Sequence, residues 1–214
     1  MVLFFRKIFY RLKVLLSTIS APLYGIRRGY LHRKAVLLFS DEGNADEYQK
    51  EVYAFARSFY DEKQLSGVLD IGCGSAFKLL SNFQNVPKAG AEINTYWLKQ
   101  QYPNETWFAF SDPTWKKFPA QLIICADVIE HVSNPDTFIA ELLGHQHVQY
   151  FVFSTPDRNL DTSPWKFGPP NNEAHYREWT FEEFEGYLSR YFRVVHHAIS
   201  NREQRTQMLV AERK

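Results

Sequence analysis

Residues 68–79, reading V-L-D-I-G-C-G-S-A-F-K-L, constrain this chain more than any other stretch. The β-formers Val68, Leu69 and Ile71 flank Asp70, a glycine-rich turn follows at once, and an apolar-periodic segment comes next. The run reads as strand, tight turn and helix. Gly72 and Gly74 carry no Cβ, so a nucleotide-like molecule can lie directly against the main chain. Asp70 sets a carboxylate beside that contact.

The remainder of the chain extends this unit. Residues 41–64 have a helical pattern, with Tyr48, Val52, Phe55, Ala56 and Phe59 spaced to cover one face. After the first strand, at 66–71, the sequence predicts a helix over about 76–83, a strand through 89–93, a helix over about 95–101, a strand at 106–110 and a fourth strand at 122–126. Asn134, Pro135 and Asp136 supply a capping side chain, a proline suited to the first helical position and an acid favoured by the helix dipole, so a helix is predicted from there to about Leu143. A fifth strand at 148–154 leads into a long proline-rich connection, 155–179, of the kind that is functional when it occurs inside a compact domain. Thr180 and Glu183 make a capping box for a helix to about Arg190, and strands at 192–199 and 206–212 close the chain. Strands alternating with helices and ending in a hairpin predict a doubly wound, Rossmann-like α/β domain, with seven strands that are mainly parallel and an antiparallel strand at the C-terminus. At 214 residues the chain suits one such domain.

Charge divides the chain. Eight of its 25 Lys and Arg, and none of its 24 Asp and Glu, precede residue 41. Phe4, Phe5, Ile8, Phe9, Leu12, Leu15 and Leu16 share one helical face, while Arg6, Lys7, Arg11 and Lys13 fall on the other. We therefore expect a basic amphipathic extension over 1–40 and the main domain over 41–214. Four charges interrupt the first segment too early for a transmembrane span, and no apolar core precedes a cleavage site. Residues 1–34 either lie on an anionic membrane surface or form a helix docked on the domain with its basic face in water. The two cysteines, Cys73 and Cys125, have neither metal-ligand spacing nor a disulfide framework. No metal site is expected, and the setting is cytoplasmic, with peripheral contact at the inner membrane face in the first reading.

In a doubly wound sheet, ligands bind beyond the carboxyl ends of the strands. Acids stand at four successive ends: Asp70, Glu92, Asp112, and Asp127 with Glu130 and His131. Glu92 follows Asp70 by 22 residues, the offset of a carboxylate that accepts hydrogen bonds from ribose hydroxyls. The third glycine of G-x-G-x-x-G is absent, and Asp70 would lie close to a pyrophosphate, so a ligand with a cationic end fits better than a dinucleotide.

At these residues the sequence resembles the class I S-adenosylmethionine-dependent methyltransferases. V-L-D-I-G-C-G-S is similar to their first motif, G-A-E-I to their ribose-binding strand end, and A-D-V-I-E-H-V-S-N-P-D to their segment after strand four. The resemblance covers about residues 45–213. It implies S-adenosylmethionine as cofactor, with Gly72, Gly74 and Ser75 against its methionine and ribose, Asp70 at the methionine end, Glu92 on the ribose, Asp112 near the adenine amine and Asp127 in the same pocket. Ala76 departs from the pattern, where the family often has a further glycine, and is expected to narrow the turn.

Two histidines are candidates for the base that serves a hydroxyl acceptor. His131 resembles the E-H pair of small-molecule O-methyltransferases, and His175 lies in G-P-P-N-N-E-A-H-Y-R-E-W. If that loop is extended, His175, Arg177 and Trp179 face one way and offer a base, a cation and an aromatic platform. The plainer readings are that His131 supports the next helix, Arg177 pairs with Glu178 or Glu182, and Trp179 staples the capping box. The loop is similar to a segment of bacterial surface-glycan methyltransferases, a resemblance that favours a sugar hydroxyl, and the acceptor expected is a small molecule, a sugar or a lipid-linked group. Base methylation of nucleic acid is disfavoured by A-D-V-I-E-H in place of an N-P-P-Y type clamp. The alternatives are a nicotinamide-dependent oxidoreductase and a non-catalytic binding scaffold.

Overall fold

The computed structural model describes Tyr24, residues 47–161 and residues 170–214. The amphipathic N-terminal helix, the basic cluster, the expected boundary at residue 41 and the centre of the long connection lie outside the described residues.

The first described α-helix, α1, spans Lys50–Glu62 and buries Val52, Tyr53, Ala56, Phe59 and Tyr60. This face differs from the expected one. Tyr48 is 49% exposed, because Gln49 adopts a left-handed conformation (φ 64°) and starts the helix after it. Tyr53 and Tyr60 turn inward in its place.

The chain then alternates: β1 (Val68–Ile71), α2 (Phe77–Asn82), β2 (Lys88–Glu92), α3 (Tyr96–Gln101), β3 (Thr106–Ala109), a 3-10 turn (Pro113–Lys117), β4 (Leu122–Ala126), a second 3-10 turn (Ile129–His131), α4 (Pro135–Leu143), β5 (Tyr150–Pro156), a third (Arg158–Leu160), α5 (Phe181–Leu188), β6 (Phe192–Asn201) and β7 (Thr206–Arg213). Seven strands form one sheet in the order β3-β2-β1-β4-β5-β7-β6. The first five run parallel, and β7 is antiparallel to both of its neighbours. The doubly wound expectation holds, including the closing hairpin.

Alternation along the strands builds two cores. Leu69, Ile71, Ile123, Cys125, Phe151 and Phe153 face one layer, which holds Trp115, Phe138, Trp179, Phe184 and Tyr187. Val68, Leu122, Ile124, Ala126 and Val152 face the other, with residues of α1, α2 and α3. Most of the aromatic residues named in these layers are buried and serve packing, each fully buried ring contributing about 1.5–3 kcal/mol.

The caps act as the sequence predicts. Asn134 accepts from Thr137 N–H at 3.1 Å to start α4. Thr180 and Glu183 form both bonds of the capping box at α5. Trp179, the residue before that cap, packs on Phe184 with ring centroids 5.6 Å apart, which makes it the hydrophobic staple of α5. Among the described residues, no helix is long and apolar enough to cross a membrane.

Candidate active site

The strand order reverses between β1 and β4, and the crevice of a doubly wound sheet opens at such a point. The turn after β1 lines it. Gly72 N–H donates to Ala91 C=O at 2.7 Å, which carries the β1–β2 ladder into the turn. Gly72 has φ +73°, and a Cβ there would come within 2.4 Å of Val128 Cγ2 in the segment after β4. Glycine is needed at this position both for its conformation and for that close approach. Ala76, where a further glycine was the family pattern, takes the same left-handed region (φ 60°) at the cap of α2. An L-residue there costs about 1–2 kcal/mol, so the departure is met as backbone strain.

Glu92 ends β2 and folds back over the turn. Its Oε2 accepts from Gly74 N–H at 3.0 Å and its Oε1 from Ile93 N–H at 2.7 Å. Two backbone donors fix the carboxylate and leave a second lone pair on each oxygen. Asp70 is fully buried, and its Oδ2 accepts from Tyr53 O–H of α1 at 2.7 Å. That tyrosine was not among the residues singled out in the sequence; its partner lies 17 residues away, and nothing local marks the pair. Ser75 is buried in the turn. Asp112 is exposed and caps the Pro113–Lys117 turn by accepting from Thr114 N–H at 2.9 Å, a bond that holds its carboxyl below the ordinary range. Asp127 stands after β4 with φ 52° and accepts from Ser154 O–H at 2.6 Å. Desolvation pushes its carboxyl upward, offset in part by the Ser154 hydroxyl.

A second group gathers beyond β4. Glu130 and His131 form its floor, and residues 172–178 fold over them. Tyr176 N–H donates to Glu130 C=O at 2.8 Å, and His131 Nδ1–H donates to Ala174 C=O at 2.9 Å. The His131 and His175 rings meet edge to face with centroids 4.7 Å apart. His175 Nδ1 lies 2.6 Å from Glu178 Oε1, and its Nε2 faces Asn172 Nδ2 at 2.9 Å. Burial, followed by the neighbouring His175, lowers the His131 pKa to about 4, and burial drives the Glu130 carboxyl well above the ordinary range. Glu178 and Asn172 were missed as site residues, although Glu178 lies three residues after His175.

The segment in which His175, Arg177 and Trp179 were expected to face one way is packed inside the protein. All three are buried, and Arg177 is 1% exposed. Arg177 donates to the carbonyls of Val132 and Ser133 and stacks against the Tyr24 and Trp179 rings. Trp179 Nε1–H donates to Tyr24 C=O at 2.9 Å. Neither acidic partner considered for Arg177 is used. The cation instead ties the 170–180 segment to the turn before α4 and acts as a positioning residue, because a guanidinium can satisfy several carbonyls from a buried position.

A family model described as a methyltransferase domain matches residues 34–198, most of the chain. No curated protein sequence matches it. Among solved structures, the chain is similar to the methyltransferase domain of bacterial CtHen1 (15% identity, 77% of this chain and 97% of that one, TM-score 0.59). It is also similar to the Burkholderia thailandensis 1,6-didemethyltoxoflavin-N1-methyltransferase with bound 1,6-didemethyltoxoflavin and S-adenosylhomocysteine (15% identity, 81% of each chain, TM-score 0.58). A third is the magnesium protoporphyrin IX methyltransferase of Synechocystis with bound SAH (15% identity, 78% and 84%, TM-score 0.52). At these identities the likeness is one of fold.

Proposed function

The chain belongs to the methyltransferase-domain family, with S-adenosylmethionine as its methyl donor, and from that premise we propose that it methylates an oxygen of a small-molecule, sugar or lipid-linked acceptor. Membership displaces the nicotinamide reading. One observation carries the oxygen assignment: a histidine–carboxylate pair, His175 and Glu178 at 2.6 Å, lies across the strand-order reversal from the glycine turn and Glu92.

The residues present fit the donor. Gly72 and Gly74 leave the main chain bare, and Glu92 retains lone pairs for a ribose diol while its backbone bonds hold it in place. Asp70 supports the turn from beneath, with Asp112 and Asp127 at the adjoining strand ends. When bound, S-adenosylmethionine supplies a methyl group already activated on a sulfonium centre. The protein's share of the chemistry is then orientation, exclusion of water and removal of the acceptor proton.

His175 takes that proton. Its Nδ1–H is held by Glu178, which fixes the tautomer and stabilises the imidazolium that forms; the Nε2 lone pair, which accepts from the Asn172 amide at 2.9 Å, turns to the acceptor hydroxyl as that contact is exchanged. His131, with Nδ1–H fixed on Ala174 C=O, orients the cluster against the 172–178 segment. The basic stretch 1–34 supports an acceptor held at an anionic membrane surface.

Isothermal calorimetry with S-adenosylmethionine and S-adenosylhomocysteine tests the donor half; folded protein that binds neither would overturn it. A screen of sugar, phenolic and quinone-type hydroxyl acceptors tests the other half, with His175→Asn expected to lose turnover while retaining donor binding. Methylation confined to nitrogen or carbon acceptors overturns the oxygen assignment, and tight donor binding with no turnover on any acceptor supports the scaffold alternative.

A further inference from the structure

Glu130 is the least explained polar group in the crevice. Its side chain is fully buried, and neither carboxylate oxygen has a hydrogen bond of ordinary geometry among the described residues; the Thr155 hydroxyl favours the charged form but offsets the burial only in part. A buried acceptor left unmatched costs about 1–3 kcal/mol, and more if charged. Burial favours the neutral acid at this position, and a cation held beside the two imidazoles would stabilise the carboxylate instead. Among the described residues, no Lys or Arg is hydrogen-bonded to the Glu130 carboxylate.

The neighbours have the form of metal ligands. One carboxylate oxygen of Glu130 and one ring nitrogen from each of His131 and His175 all lie within 4.8 Å of one another. Ligand atoms about 2.0–2.2 Å from a central ion stand at most about 4.4 Å apart, so small side-chain adjustments would bring the three into coordination distance. Both rings have their tautomers set by a hydrogen bond at Nδ1. His131 Nδ1–H is on the Ala174 carbonyl and His175 Nδ1 is on the Glu178 carboxylate. In each ring the lone pair therefore belongs to Nε2; at His175 it accepts from the Asn172 amide at 2.9 Å, a contact that the ion would replace. A carboxylate or carbonyl on the far nitrogen is the outer support that metal-binding histidines use, and it raises the basicity of the coordinating atom.

We propose that Glu130, His131 and His175 form a site for a divalent transition-metal cation, with coordination positions left open toward the acceptor side of the crevice. Two imidazoles and one carboxylate favour Zn²⁺, Co²⁺ or Fe²⁺ over Mg²⁺ or Ca²⁺, whose preferred ligands are oxygens. Three protein ligands leave room for water or an acceptor hydroxyl. The site stands on the side-chain geometry alone; its role, binding the acceptor oxygen and lowering the pKa of its hydroxyl, rests on the methyl-transfer reading above. With the ion bound, His175 is a ligand and not the base, since one Nε2 lone pair takes either a proton or a metal, and the proton of the metal-held hydroxyl leaves to solvent water.

The test is a titration of the full chain with CoCl₂, followed by the visible d–d absorption of protein-bound Co²⁺, with ZnCl₂ as competitor. Stoichiometric binding that Zn²⁺ displaces is expected. Glu130→Gln and His175→Ala should each weaken Co²⁺ by about a hundredfold or more, and Glu178→Gln, which keeps all three ligands, by about tenfold. His147→Ala, remote from the cluster in sequence and outside the ligand set, should bind as the parent does. Thermal melting and S-adenosylhomocysteine calorimetry on the same samples separate loss of metal from loss of fold or of the donor site. Absence of Co²⁺ binding in protein that binds S-adenosylhomocysteine overturns the metal site and leaves the methyltransferase reading intact. Binding that Glu130→Gln and His175→Ala leave unchanged overturns it too, and assigns the ion to surface histidines.

Discussion

The two halves of the crevice are built by different means. On the side of β1 and β2, backbone groups do the positioning: Gly72 and Gly74 turn through left-handed conformations, and Glu92 is pinned by the N–H groups of Gly74 and Ile93. On the side of β4, side chains reach across the sequence. His131 meets Ala174 over 43 residues, and Arg177 meets Val132 and Ser133 over 45 and 44. A site made of backbone tolerates changes in its neighbours; a site made of long-range side-chain bonds stands or falls with them.

That contrast can be broken at its strongest point first. Arg177→Ala removes two charge-assisted hydrogen bonds and leaves two carbonyls unmatched, so we expect a loss of about 3–4 kcal/mol in urea unfolding. A loss below about 1 kcal/mol would mean that the 170–180 segment is held by something other than Arg177. Gly72→Ala adds a left-handed alanine and a methyl group driven into Val128, for an expected loss of about 2–3 kcal/mol. Unfolding curves that match the parent would show that the turn has room the geometry denies.

Smaller effects sharpen the division. Glu92→Ala should weaken S-adenosylhomocysteine binding by about 1–3 kcal/mol in calorimetry while the metal titration is unchanged. Equal affinity would remove Glu92 from the ribose. Thr180→Ala deletes the α5 cap and should cost about 1 kcal/mol of stability with donor affinity intact; altered donor affinity would tie α5 to the β1 side and blur the distinction.

The same division explains what could be read in advance. The glycine turn, Asp70 and Glu92 belong to a local pattern, because the backbone geometry of a strand, turn and helix depends on residues adjacent in sequence. The caps at Asn134 and Thr180 were legible for that reason as well. Tyr53 on Asp70, and Glu178 and Asn172 on His175, become visible once the chain has folded. Burial of His175, Arg177 and Trp179 follows from the same limit: alternation predicts that three residues share a direction, and the packing of Tyr24, Phe184 and Tyr187 decides that the direction is inward. Tyr48 failed on a single dihedral angle, that of Gln49, which no hydrophobic pattern encodes.

The position of β7 governs the order in which this molecule can assemble. Residues 206–213 follow β6 in sequence, yet they lie between β5 and β6 and hydrogen-bond to both. During synthesis β5 therefore waits with an open edge, and β6 has no strand to join, until residue 213 is available. Closure of the sheet is a long-range event. Until then the unpaired edge of Tyr150–Pro156, rich in β-formers, is open to association with another chain.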